Sequence, residues 1–136
     1  MPEPEWIKPR DFPDDLSECA GFIYEITDTA TGKSYIGKKG FFNRRAKRIV
    51  PSKWESYWGS CTPLLIDLKV LGKHRFERRI LSLHPTNFLL NYEEVAEQIR
   101  RDVLRARLPD GSRQFYNSHV NGRWFARHFE ERGLTK

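Results

Sequence analysis

Hydrophobic and polar positions along the chain fall into short segments with different periods. Gly21-Phe22-Ile23-Tyr24 and Ser34-Tyr35-Ile36-Gly37 are β-branched and aromatic, and between them lies the turn-forming run Thr27-Asp28-Thr29-Ala30-Thr31-Gly32-Lys33. This order predicts two adjacent strands of a hairpin. Phe76–Leu83 has the length and apolar content of a third strand, with charged residues that give it one solvated face. Residues 87–107 predict the longest helix, because Phe88, Tyr92, Val95, Ile99 and Val103 recur at three- and four-residue steps. Thr62-Pro63 predicts a helix start with a capping hydroxyl, and Gly72 a stop after Leu64, Leu65, Leu68 and Leu71. Phe41–Ile49 is expected to form a short helix ending before Pro51, and Trp124–Arg132 a packing helix. Leu108-Pro109-Asp110-Gly111-Ser112 reads as a turn. The set amounts to one α+β domain.

Charge adds a direction to this frame. The 136 residues carry a formal net charge of +6 and a pI near 9.5. No acid occurs from Thr29 to Trp54, while Lys33, Lys38, Lys39, Arg44, Arg45, Lys47, Arg48 and Lys53 crowd into that stretch. An ordinary solvated face mixes both signs, so this run points to a phosphate-binding surface. Residues 1–19 have the opposite character, with six acids set among four prolines. They read as an extended, loosely attached arm, in preference to a DNA mimic folded onto the basic surface. The aromatic loop Trp54-Glu55-Ser56-Tyr57-Trp58 serves either to stack on a base or to cover the core, with core cover favoured.

Other chemistries find little support. Cys19 and Cys61 lack the density of a disulfide scaffold, and no apolar N-terminal run suits a signal or a membrane span, so a cytoplasmic setting is expected. His119 and His128 are nine apart, and neither Cys-x-x-Cys nor His-x-x-x-His is present to complete a zinc site. By propensity alone, Tyr24 and Tyr35 are strand aromatics on a half-buried face. Taken locally, Glu94 is a solvated helix residue or the partner of Asn91 in a capping box.

Five ordered features change that reading. Gly21-Phe22-Ile23-Tyr24 is followed eleven residues later by Tyr35-Ile36-Gly37, then Lys38, and Arg45 lies ten residues beyond Tyr35. Glu94 follows in Asn91-Tyr92-Glu93-Glu94, and Asn117 in Phe115-Tyr116-Asn117. Across residues 20–118 this resembles the GIY-YIG nuclease superfamily, and within it the small phage-encoded Seg-type homing endonucleases. The resemblance implies a three-stranded antiparallel sheet flanked by helices, with residues 119–136 as a C-terminal packing helix and tail. Two departures stand out. Ile49 occupies the place where relatives often carry a histidine or tyrosine, leaving Tyr57 or the more remote His74 as replacements. The interval of 23 residues from Glu94 to Asn117 is longer than the superfamily pattern.

The resemblance also implies the chemistry. Glu94 would hold one Mg²⁺, with Mn²⁺ able to substitute; Arg45 on a helix would bridge phosphate oxygens, and Lys38 would add a point charge. Tyr24 would align or deprotonate the attacking water with Tyr35 in support, its phenolate stabilised by Lys38 and Arg45. Asn117 would hold Glu94 or the scissile strand. Lys33, Lys39, Arg44, Lys47, Arg48 and Lys53 would bind double-stranded DNA. Sequence specificity is expected to be low, or to come from a homodimer or a separate partner, because little chain remains for a recognition segment. A weak or inactive DNA-binding module and a repair or junction nuclease are the alternative readings.

Overall fold

The structure, a computed structural model, describes residues 2–136. Its centre is a four-stranded sheet in the order β1 (Trp6–Ile7), β6 (Phe76–His84), β2 (Gly21–Asp28), β3 (Ser34–Gly40). Strands β2 (Gly21–Asp28) and β3 (Ser34–Gly40) form the expected hairpin, with Tyr24 opposite Gly37 and Ile26 opposite Tyr35. Strand β6 (Phe76–His84) pairs antiparallel with the far side of β2. The fourth strand corrects the expected all-antiparallel, three-stranded sheet. Strand β1 (Trp6–Ile7) runs parallel to β6, placing Trp6 beside Arg78.

Residues 2–19 are therefore not a loosely attached leader. Trp6 is buried against Phe22 and Tyr24. The Arg78 guanidinium lies between the Trp6 and Trp58 rings, 4.6 and 4.1 Å from their centroids. It donates to the carbonyls of Pro4, Glu55 and Tyr57 at 2.7, 3.1 and 2.7 Å. Burial lowers its pKa to about 10 against the opposing field of Glu3. Strand pairing, the buried Trp6 ring and the Arg78 cation together tie the N-terminal segment to the sheet.

Residues 42–51 are the largest departure. The chain forms a second hairpin, β4 (Phe42–Arg45) and β5 (Arg48–Pro51), where a helix was expected. A helix here would stack Arg44 on Lys47 and Arg48 at three- and four-residue spacing with no acid to offset them. Ile49-Val50 favours extended backbone, and Pro51 is tolerated at the end of an unpaired edge. Ala46 turns the chain with φ of 54°.

Helix α1 (Thr62–Leu71) starts and stops where expected, but Cys61 occupies the cap position, so the Thr62 hydroxyl does not cap it. Helix α2 (Asn87–Arg100) is shorter than the periodicity suggested and presents another face. Phe88, Tyr92 and Ile99 are 81, 65 and 59% exposed, whereas Leu90 and Gln98 are buried. Val103 enters the core after a turn at Asp102, whose φ is 54°. The cap of α2 is the Thr86 hydroxyl, accepting from the Leu89 amide at 3.1 Å, so Asn91 and Glu94 form no capping box. A short hairpin, β7 (His119–Val120) and β8 (Trp124–Phe125), leads into α3 (Ala126–Glu131).

Two apolar cores flank the sheet. One gathers Phe22, Tyr24, Ile26, Trp54, Trp58 and Leu64, so the aromatic loop does cover the core. The other packs Ile23 and Ile36 against Leu90, Val103 and Phe115.

Candidate active site

Strand β3 is a sheet edge, and the site is built along it. Unpaired edges need partners. The Ser34 amide donates to the Gln114 carbonyl at 2.9 Å, and the Tyr116 amide donates back to Ser34 at 2.8 Å. Two residues on, side chains replace backbone. The Ile36 amide donates to Asn117 Oδ1 at 3.1 Å, and the Ile36 carbonyl accepts from Asn117 Nδ2 at 2.9 Å and Gln98 Nε2 at 3.0 Å. Asn117 thus clamps the centre of Tyr35-Ile36-Gly37; it does not hold Glu94 through a hydrogen bond.

Close packing explains both glycines. A Cβ on Gly37 would lie 2.6 Å from the Tyr24 hydroxyl oxygen. One on Gly21 would lie 2.3 Å from the Lys39 carbonyl oxygen. The tyrosines stand in a row, with Tyr24 ring centroids 6.2 Å from Tyr35 and 6.0 Å from Tyr57. Burial pushes the Tyr24 phenol well above its ordinary pKa, and the neighbouring Tyr57 and Tyr35 add to the shift. Burial raises Tyr35 as well. Lys38 and Arg45 do not reverse this, so a ready phenolate at Tyr24 is not supported.

Glu94 projects from α2 towards the end of β3. Its carboxylate is 3.9 Å from Lys38 Nζ, which also donates to Asn91. Burial raises its pKa despite the opposing pull of Lys38, His119 and the Lys38 amide. A cleft of about 560 Å³ opens here, lined by Tyr35, Glu94, Gln98, Asn117 and His119. His119 Nδ1 accepts from the Gly122 amide at 3.0 Å, which leaves Nε2 to carry the proton of a neutral ring. Sequence reasoning weighed His119 only for zinc; its position two residues after Asn117 was the available signal.

Not every expected residue arrives. Tyr35, Glu94 and Asn117 line the cleft; Lys38 reaches Glu94 without lining it, and Tyr24, 1% exposed, packs against Tyr35 and Tyr57 outside the lining. Arg45 does not line the cleft; it stands exposed on β4 beside Arg44 and across from Arg48. His74 is exposed in the turn before β6 and does not line the cleft either. Lys39 lies over the Tyr57 ring at 4.4 Å, and with Lys53, Lys69 and Lys73 lines a second, basic cleft. Lys33 lies over the Tyr116 ring at 4.4 Å.

The donor set fits a hard cation held by few protein ligands. Among the described residues no group of three His, Cys, Asp or Glu side chains could hold a metal, and Glu94 is the cleft's single carboxylate. One carboxylate with room for water is how Mg²⁺ is often bound, since it keeps much of its hydration shell. No helix is long and apolar enough to cross a membrane among the described residues.

The cleft thus joins a strand tyrosine to a helix carboxylate that has one lysine, Lys38, beside it. The family described as "Putative endonuclease segE, GIY-YIG domain" matches residues 6–120, and the chain belongs to it. It is an endonuclease acting on phosphodiester bonds. The match starts at β1, so the N-terminal strand lies within the family's domain. No curated protein and no solved structure matches the chain.

Proposed function

We propose that the protein is a divalent-metal-dependent endonuclease that hydrolyses duplex DNA at the Tyr35–Glu94–His119 cleft. The meeting of Tyr35 and Glu94 in one cleft on the β3 edge, with Lys38 paired to Glu94 and Tyr24 packed against Tyr35, carries this reading. Glu94 would hold Mg²⁺, or Mn²⁺ in its place. The ion supplies Lewis acidity, making water more acidic and offsetting charge on the phosphate.

The chain's own residues do the rest. Tyr24, un-ionised and fixed over Gly37, orients the attacking water through its hydroxyl, with Tyr57 and Tyr35 holding the ring in place. Lys38 supplies the cation nearest Glu94 and takes the phosphate role that resemblance gave to Arg45. Asn117 and Gln98 fix the backbone from which Tyr35 and Gly37 project. Lys39 and Lys53 in the basic cleft hold the flanking backbone. Likeness to homing endonucleases of the Seg type favours double-stranded DNA over other phosphodiesters.

The test is incubation of supercoiled plasmid with wild type and Glu94→Ala in Mg²⁺, beside an EDTA control. Nicked or linear DNA from wild type alone supports the assignment. Equal cutting by Glu94→Ala removes Glu94 from the metal site, and intact plasmid from folded, DNA-bound wild type removes the nuclease reading.

A further inference from the structure

The β4–β5 hairpin has no role in the cleft, yet it carries four cations within five residues. None of Arg44, Arg45, Lys47 and Arg48 pairs with a carboxylate among the described residues. All four are exposed, as is Asn43. We propose that this hairpin is a base-reading ribbon that enters the major groove of duplex DNA, presenting Asn43, Arg45 and Arg48 to the base edges. This rests on the duplex-DNA reading above.

The register separates the two faces. Asn43 opposes Val50 and Arg45 opposes Arg48, so these residues share one face; Phe42 opposes Pro51 and Arg44 opposes Ile49 on the other. Both faces stand clear of the body: Arg44, Ile49 and Pro51 are exposed beside a half-buried Phe42, and Asn43, Arg45 and Arg48 are exposed beside a half-buried Val50. The Asn43–Arg45–Arg48 face is therefore open to a partner. Its residue types are those that make paired hydrogen bonds to bases, arginine with guanine and asparagine with adenine. A cluster serving only phosphate would not need the asparagine.

Dimensions agree. A two-stranded ribbon fits the major groove, and a four-residue strand reaches about 13 Å against a groove depth of about 8.5 Å. The root is fixed: the Ser52 amide donates to the Phe41 carbonyl at 2.8 Å, and the Ser52 hydroxyl to the Gly40 carbonyl at 2.6 Å. Lys39 and Lys53 flank that root and line the basic cleft beside Tyr57, which packs on Tyr24. Phosphates leaving the ribbon would follow these lysines towards the tyrosine row. The chain then carries its own reading element, where sequence reasoning looked to a dimer or partner.

The experiment is selection from a random duplex library by metal-free protein in EDTA, comparing wild type with Asn43→Ala, Arg48→Ala and Lys33→Ala. No cleavage is needed, so failure of the nuclease reading in the plasmid assay is a separate result. Wild type should enrich a short motif. Each ribbon variant, matched to wild type by circular dichroism, should lose preference at particular base pairs by about tenfold. Lys33→Ala should weaken binding to all sequences alike. A ribbon variant that keeps the full motif overturns the proposal, as does wild type that enriches nothing.

Discussion

Replacing Asn117 by alanine should unfold the protein more readily than it damages any direct contact with substrate. The side chain is only 3% exposed and makes paired bonds to the Ile36 amide and carbonyl. In the alanine variant the carbonyl keeps Gln98, but the Ile36 amide is left buried without an acceptor. An orphaned donor costs about 1–3 kcal/mol and the lost bond to the carbonyl about 1 more, giving roughly 3 kcal/mol. That is a large share of a typical margin of about 5–15 kcal/mol. Urea denaturation at fixed pH would show the midpoint falling with an unchanged slope. Asn117→Asp separates the two halves of the clamp. Its acceptor oxygen still serves the Ile36 amide, but its second oxygen faces the Ile36 carbonyl and can bond only when protonated. The folded-state pKa of this aspartate is thereby raised, so the stability it lends is present below its unfolded value and lost as pH rises through the folded one. Aspartate should approach wild-type stability in acid and fall towards alanine near neutrality. A loss under about 0.5 kcal/mol for alanine, or a pH-independent aspartate variant, would refute the clamp.

Further outcomes follow from the same geometry. Tyr24→Phe should keep the fold within about 1 kcal/mol and lower single-turnover cleavage about 100-fold. A wild-type pH–rate limb at a tyrosine pKa, absent from this variant, would instead make Tyr24 a base. Gly37→Ala drives a methyl into the Tyr24 hydroxyl, and calorimetry should record a loss of about 1–3 kcal/mol together with lost turnover. Normal activity with normal stability would show that the hydroxyl is not held there. Glu94→Gln bears on the raised Glu94 carboxyl. Because the folded pKa exceeds the unfolded one, wild type loses stability as pH rises through that window, so the glutamine variant should melt at or above wild type at pH 7 and gain less in acid. A glutamine variant that melts lower at pH 7 would mean the Lys38 ion pair outweighs the burial of the carboxylate.

The β2–β3 hairpin and the third strand were legible because their signals are local: alternating apolar residues, a turn-rich interval and glycines at fixed offsets. Glu94 and Asn117 were singled out only through resemblance, since neither looks unusual within its own helix or loop. Strand β1 was hidden by acids and prolines, because what holds it comes from far along the chain: Arg78 between Trp6 and Trp58, and Phe22 and Tyr24 against the Trp6 ring. The α2 face misled for a related reason. The helix meets a sheet edge with polar needs, so Gln98 and Glu94 turn inward while Phe88 and Tyr92 remain outside. The basic run was correctly read as charge but wrongly as helix, because repulsion at helical spacing was not weighed against the β-branched pair at its end.

That sheet edge also accounts for the long interval between Glu94 and Asn117. If the asparagine were placed by the glutamate, extra residues between them would displace it. In this fold each is placed by β3: Asn117 by the Ile36 amide and carbonyl, and Glu94 by a helix docked on the same strand beside Lys38. The chain between them can lengthen at Leu108–Ser112, which closes on itself through the Leu108 amide and Ser112 carbonyl at 2.8 Å. Longer surface loops cost little closure entropy, about 0.6 kcal/mol per doubling. Spacing along the sequence therefore matters less at this site than register along one strand. Extending the Asp110-Gly111 turn by a few flexible residues should leave both the fold and the cleavage rate near wild type. A loss of activity in such a variant, with Asn117 still clamped by the stability measure above, would mean that the turn itself meets the substrate.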